Sequence, residues 1–177
     1  MSLPTVIQSV RARKIFDSRG NPTVEVDILT HKGFGRAAAP SGASKGRWEA
    51  QSYPSGGVDQ AIKKVNETVA AKLIGMDADE QETIDIVLHE IDTTDNFSKI
   101  GGNTAYAVSV AASLAAASSK GIPLFQHLSS TFTREIPFPL GNVIGGGMHA
   151  KGGRTDIQEF LVLSTNCLLY TSDAADE

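Results

Sequence analysis

The chain has 177 residues, 41 % of them hydrophobic and 20 % charged, with a formal net charge of −4. That balance suits a soluble globular protein of one ordinary domain, or a small domain with part of a second. It argues against non-specific binding to nucleic acid or a membrane surface.

One cysteine, Cys167, excludes an internal disulfide framework and fits a reducing cytoplasm, and it reads as an incidental thiol rather than a nucleophile. Met1-Ser2-Leu3-Pro4-Thr5 lacks the charged start and apolar core of a signal peptide. The most apolar stretch, residues 105–117, is interrupted by Ser109 and Ser113 and is too short to span a bilayer. The basic run Arg11-Ala12-Arg13-Lys14 sits beside a strand pattern and reads as a solvated strand edge. The expectation is a soluble, cytoplasmic protein.

Residues 6–12 alternate loosely, and residues 23–29 alternate clearly, with Val24, Val26 and Ile28 on one face. Asp17-Ser18-Arg19-Gly20-Asn21-Pro22 between them has turn chemistry, Asp17 fixing it through charge-assisted hydrogen bonds. A second turn, His31-Lys32-Gly33, leads into a third run over 34–39, completing an antiparallel meander. Residues 40–49 are too small and glycine-containing to pack a core; they predict a mobile loop, its end anchored by Trp48.

Three helices follow. Val58, Ala61, Ile62, Val65, Val69 and Leu73 share a stripe that stops at Gly75. Ile84, Val87, Leu88 and Ile91 form a second stripe behind acidic residues. A third, alanine-rich helix is predicted to start with Asn103 as its cap and to end at Gly121 before Ile122-Pro123. Its alanines predict close contact with a neighbouring element.

Strands followed by helices give an α+β domain over residues 1–135. From residue 136 the pattern changes. Residues 137–144 read as a buried strand, residues 145–153 as a glycine-rich loop, and residues 156–163 as a further strand. Two strands cannot close a core, so 136–163 reads as the start of a second domain.

Two segments can carry chemistry. Residues 41–46 offer glycine N–H groups and serine hydroxyls that could wrap a phosphate or a hard cation, although the segment is no Walker A loop and an ordinary surface loop is the plainer reading. In residues 145–159 the glycines free the backbone around His149, which could move protons or contact a phosphate. Gln158 and Glu159 are adjacent, so a regular strand would point them to opposite faces; an irregularity or a strand end would be needed to unite them. A loop histidine and a solvent-facing glutamate explain the same residues. His31, in a turn, and His89 and His127, on helical segments, read as structural.

The motifs taken together resemble the enolase family. Lys14-Ile15-Phe16-Asp17-Ser18-Arg19-Gly20-Asn21-Pro22-Thr23-Val24-Glu25-Val26 resembles its N-terminal signature, and Pro40-Ser41-Gly42-Ala43-Ser44-Lys45-Gly46 its active-site loop. Asn142-Val143-Ile144-Gly145-Gly146-Gly147-Met148-His149-Ala150 and Ile157-Gln158-Glu159-Phe160 resemble its first two barrel-strand motifs. Lys151-Gly152-Gly153-Arg154-Thr155-Asp156 is similar to the linker of archaeal-type enolases.

The resemblance implies a magnesium-dependent lyase that interconverts 2-phosphoglycerate and phosphoenolpyruvate. The fold it implies is an N-terminal α+β domain over 1–135, then the first strands of a truncated TIM-like α/β barrel over 136–163. It implies that Ser44 ligates a second Mg2+ when its loop closes, with Ser41, Gly42 and Ala43 in the same substrate-binding loop. His149 approaches the substrate phosphate, Gln158 binds substrate, and Glu159 stands beside the hydroxyl that leaves as water; Glu159 and His149 are the catalytic candidates. A homodimer or larger oligomer is implied, with no nucleic-acid or membrane partner.

The family's lysine base, a further glutamate and three magnesium carboxylates have no matching position here, and residues 164–177 match nothing in the family, reading as foreign or out-of-frame sequence. The expectation is an inactive fragment. Two other readings stand beside it. One is a non-catalytic dimerisation or interaction module built on the same domain. The other is a superfamily relative acting on another acid, which the 41–46 loop with Ser44 argues against.

Overall fold

The computed structural model describes residues 3–40, 42, 46–129, 136–147 and 155–163. The tail 164–177 lies outside them. The chain divides into two compact units.

The first unit opens with the meander. Strands β1 (Ile7–Phe16), β2 (Pro22–Thr30) and β3 (Phe34–Ala38) pair antiparallel in the order β1-β2-β3. The Asp17 carboxylate organises the first turn, accepting the N–H groups of Arg19 at 2.9 Å and Asn21 at 2.8 Å. Those bonds, Asn21's foremost, hold its carboxyl below the ordinary carboxylate range against a smaller desolvation effect.

Alternation sorts the two faces of the sheet. Val24, Val26 and Ile28 are fully buried. The opposite face carries Arg13 paired with Glu25 and Asp27, and Arg36 paired with Asp27 at 2.6 Å. Asp27 is held below its ordinary value chiefly by its hydrogen bond from Arg36. Lys14 pairs with Asp59 at 2.6 Å. These partners neutralise much of the basic run, in keeping with a solvated strand edge.

Helix α1 (Gly57–Lys64), a π-helical turn (Val65–Val69) and helix α2 (Ala70–Leu73) follow one another without a break. Ala61, Val65, Val69 and Leu73 are all fully buried at a strict spacing of four. An ordinary α-helix rotates past that spacing, and the wider turn in the middle restores the phase. The turn also presents Asn66, whose amide accepts the Ala12 N–H at 2.8 Å and donates to the Ala12 C=O at 3.2 Å. A side chain thus takes the place of a fourth strand at the β1 edge.

Gly75, with φ 91°, follows α2. Helix α3 (Gln81–Asp92) buries Ile84 and Leu88 as the stripe predicts.

Helix α4 (Gly102–Lys120) buries its alanines at 107, 111, 112, 115 and 116. A Cβ on Gly35 would stand 2.0 Å from the Ala111 carbonyl oxygen, and one on Gly33 2.3 Å from that of Ala115. Helix backbone therefore lies directly on strand backbone, the close contact that the alanine content implies. Gly121 ends α4 at φ 67°, and Pro123 precedes the short helix α5 (Leu124–Leu128).

The predicted Asn103 cap is corrected. Gly101, at φ 93°, is the N-cap, and no side chain caps the helix. The first N–H groups go instead to backbone carbonyls, Gly102 to Gln51 at 2.7 Å and Asn103 to Ser52 at 3.1 Å. With the backbone already satisfied, Asn103 is drawn inside the helix, where its Nδ2 is buried without a partner.

In the second unit, the described residues 136–147 and 155–163 hold an antiparallel ribbon of β4 (Leu140–Gly145) and β5 (Glu159–Leu163). Its register shifts between Asn142 and Ile144, which leaves Val143 unpaired as a bulge. All residues of both strands are exposed, so the buried environment read from residues 137–144 is absent among the described residues.

Candidate functional site

Pro40 and Gly46, which flank the first chemically suggestive segment, belong to the first unit, whereas Gly42 and the described residues of the 145–159 segment belong to the second. Of the loop candidates, Gly42 is described, whereas Ser41, Ala43 and Ser44 lie outside the described residues. The stem of that loop is well defined.

On one side, Ala39 donates its N–H to the Val24 carbonyl at 3.3 Å and accepts the Thr23 hydroxyl. On the other, the Gly46 N–H donates to the Glu49 carboxylate at 2.9 Å, and the Glu49 N–H donates back to the Gly46 carbonyl at 3.3 Å. This reciprocal pair terminates the loop. The predicted Trp48 anchor is corrected: the residue is 92 % exposed. Farther on, the Gln51 N–H bonds the Asn96 carbonyl at 2.8 Å, and the Gln51 side chain donates to the Tyr53 carbonyl at 2.9 Å.

In the second unit the glycines have a concrete reason. A Cβ on Gly146 would meet the Ile157 carbonyl oxygen and the Thr155 hydroxyl, each at 2.2 Å. Gly147 adopts φ 54°, and a Cβ there would stand 3.1 Å from the Gln158 Cα. Backbone bonds from Gly146 to the Gln158 carbonyl at 2.7 Å and from Gly147 to the Thr155 carbonyl at 2.9 Å lock the two segments together.

Gln158 lies just before β5 and Glu159 is its first residue, opposite Gly145. The strand end that the adjacent pair requires is present. His149 lies outside the described residues. Among the described residues, no three of His, Cys, Asp and Glu come together as a metal site, and no helix is long and apolar enough to cross a membrane.

The remaining histidines fit structural duties. His89 packs against Phe97 in a tilted arrangement, with ring centroids 4.6 Å apart and planes at 53°. His31 meets the Gln8 amide at 3.1 Å, and the His127 Nδ1 lies 3.6 Å from Asp79.

Sequence reasoning missed Thr23, Tyr53 and Asp92. The Tyr53 hydroxyl donates to Thr23 Oγ1 at 2.9 Å. Asp92, with no exposed surface, accepts the N–H groups of Thr94 at 3.1 Å, Lys99 at 3.0 Å and Ile100 at 2.8 Å, and the Thr94 hydroxyl. Burial opposes ionisation of Asp92, yet these bonds outweigh it and hold the carboxyl below its ordinary value. An aspartate at a helix end before Thr-Thr-Asp is the signal for such a loop anchor.

Comparison with known proteins follows the same lines. A family model described as "Enolase, N-terminal domain" matches residues 7–128. The chain is 59 % identical over 161 residues to the enolase of Methanosphaera stadtmanae, covering 91 % of this chain and 39 % of that protein. Against the enolase of Methanothermobacter thermautotrophicus it is 56 % identical over 161 residues, with the same coverage. Against that of Pyrococcus furiosus it is 49 % identical over 170 residues, covering 92 % of this chain and 39 % of the relative. The chain thus spans about two fifths of the length of these archaeal relatives.

Proposed function

The chain belongs to the enolase family through its N-terminal domain, and on that premise we propose that it is part of an enzyme that reversibly dehydrates 2-phosphoglycerate to phosphoenolpyruvate in the cytoplasm. In this reading residues 1–135 are the N-terminal domain and residues 136–163 open the barrel. The exposed apolar residues of the ribbon support the second assignment. Leu140 and Val143 on β4 are 60 % and 61 % exposed, and Leu161 and Val162 on β5 are 48 % and 55 % exposed. Such a ribbon needs further chain to cover it.

The reaction removes a weakly acidic proton beside a carboxylate and then expels hydroxide, and its obstacle is the charge that builds on that carboxylate. Magnesium bound in the full site offsets that charge, a strategy for which the enolase superfamily is a known example. The described residues do not form a magnesium site by themselves. Ser44 is the proposed protein ligand from this chain. Ser41, Gly42, Ala43 and Gln158 would hold the substrate, His149 would contact its phosphate, and Glu159 would assist departure of the hydroxyl.

The observation that carries this reading is the Gly146–Gln158 lock at the start of β5. It gives the glycines a positioning purpose and supports the reading by leaving Gln158 just outside the regular strand that begins at Glu159. Self-association through the N-terminal domain is proposed as well. A non-catalytic interaction module is the second reading, favoured by the complete core of the first unit without the ribbon.

The test is a pair of assays. The 177-residue chain alone is expected to form no phosphoenolpyruvate with Mg2+. A chimera joining residues 1–163 to the rest of the M. stadtmanae enolase is expected to form it. A folded but inactive chimera would favour the module.

A further inference from the structure

The two ends of the loop that contains Ser44 depart from backbone points tied to each other. Ala39 precedes the loop, Tyr53 follows it, and the side chain of Thr23 stands between them. The Tyr53 hydroxyl donates to Thr23 Oγ1 at 2.9 Å, and the Thr23 hydroxyl donates in turn to the Ala39 carbonyl. Each hydroxyl has one proton, so the direction of the relay is fixed: Tyr53 to Thr23 to Ala39. Hydrogen bonds in such a chain polarise and strengthen one another where water is excluded.

Thr23 is 2 % exposed, and Tyr53 packs against the hydrophobic core. The relay is therefore sheltered from competing water. It is also stiffly mounted. Thr23 lies in β2, paired with Ile15 of β1. The neighbours of Tyr53 are held in turn, because the Gln51 and Ser52 carbonyls accept the first N–H groups of α4.

From this geometry we propose that Thr23 and Tyr53 are positioning residues. Their hydroxyl relay sets the separation and direction of the two described stems, at Ala39 and at Gly46 to Tyr53, that flank residues 41–46. The inference rests on the proposed role of that loop, but the relay can be tested without any ligand. Neither residue touches the reacting atoms; each acts through Ala39 and the stem.

Amide hydrogen exchange on the 177-residue chain provides the test, read at Gly46 and Glu49, whose N–H groups close the loop. Tyr53→Phe removes one hydroxyl from the relay, and Thr23→Val removes its centre while keeping the shape. Each is expected to speed exchange at Gly46 and Glu49 by about five- to tenfold, the scale of one net hydrogen bond. Exchange at Val26 and Ala111 in the core should stay unchanged. Thr23→Ser, which keeps the hydroxyl, should restore slow exchange. Unchanged exchange at Gly46 and Glu49 in both variants would overturn the proposal. Uniform acceleration across the domain would overturn it too, because the relay would then be simple fold stabilisation. If the relay passes this test while the chimera described above is inactive, the fault lies in the functional reading, not in the clamp.

Discussion

Replacing Gly35 by alanine probes the contact on which the first unit is built. The new Cβ would stand 2.0 Å from the Ala111 carbonyl oxygen and 2.5 Å from the Ala115 nitrogen, both of them backbone atoms of α4. Non-bonded carbon settles at about 3.5–4.0 Å from its neighbours, so the helix would have to withdraw by about 1.5–2 Å. That shift would loosen Ala107, Val108, Ala111, Ala112 and Ala115 together, all fully buried now. Overpacking of this kind costs about 1–3 kcal/mol or more. The reduced freedom of the unfolded chain returns about 0.4–1 kcal/mol. A net loss of about 2 kcal/mol lowers the urea midpoint by about 1 M at an ordinary m-value. Urea titration followed by far-ultraviolet circular dichroism measures it. Gly20→Ala is the control, since nothing lies within 4 Å of the new methyl and only its φ of +77° is unfavourable. If Gly35→Ala falls no further than Gly20→Ala, helix backbone does not rest on strand backbone here.

Three other outcomes follow from the same geometry. Asp92→Asn turns one buried acceptor into a donor facing backbone N–H groups, and should cost about 3 kcal/mol by urea titration. Because the folded carboxyl is held below its ordinary value of 3.8, the stability it supplies is present above that value. It is lost as pH falls through the lower folded value, so an acid titration of stability should be flatter in Asp92→Asn below about pH 4. Asn66→Ala uncovers the Ala12 edge of β1 and should cost about 1–2 kcal/mol while raising light scattering on concentration; unchanged scattering would mean that the edge is protected in another way. Gly146→Ala should open the turn before β5, visible as faster amide exchange at Gly146 and Gly147, whose bonds to Gln158 and Thr155 cannot survive a methyl at 2.2 Å.

The meander was legible because Val24, Val26 and Ile28 alternate, and period two leaves one choice of buried face. The helical stripes were legible for the same kind of reason, although the π-helical turn within the first was not: a spacing of four looks like an ordinary apolar stripe until its phase is followed for three turns. Asn103 misled because capping was judged from side chains alone, whereas carbonyls from Gln51 and Ser52, some fifty residues away, took the helix N–H groups. Trp48 misled because size suggests an anchor, yet the residue stands almost wholly exposed. At the candidate site, Gln158 and Glu159 fall at a strand end, one of the two conditions under which adjacent residues could share a pocket. The reason for the glycines beside them, close approach by residues 155–158, depends on pairing that no local pattern displays. The Thr23–Tyr53 relay was hidden similarly: a threonine entering a strand and a tyrosine in a loop carry no mark of each other.

The central claim is that Ser44, His149, Gln158 and Glu159 serve one magnesium and phospho-acid site once the barrel is complete. The most direct measurement is the rate of phosphoenolpyruvate formation by the 1–163 chimera and its Glu159→Gln and Ser44→Ala variants, across a magnesium titration. Glu159→Gln should lower kcat about 10²-fold or more at saturating magnesium, whereas the loss in Ser44→Ala should depend on the magnesium concentration. A chimera whose rate and magnesium dependence are indifferent to both substitutions would contradict the account.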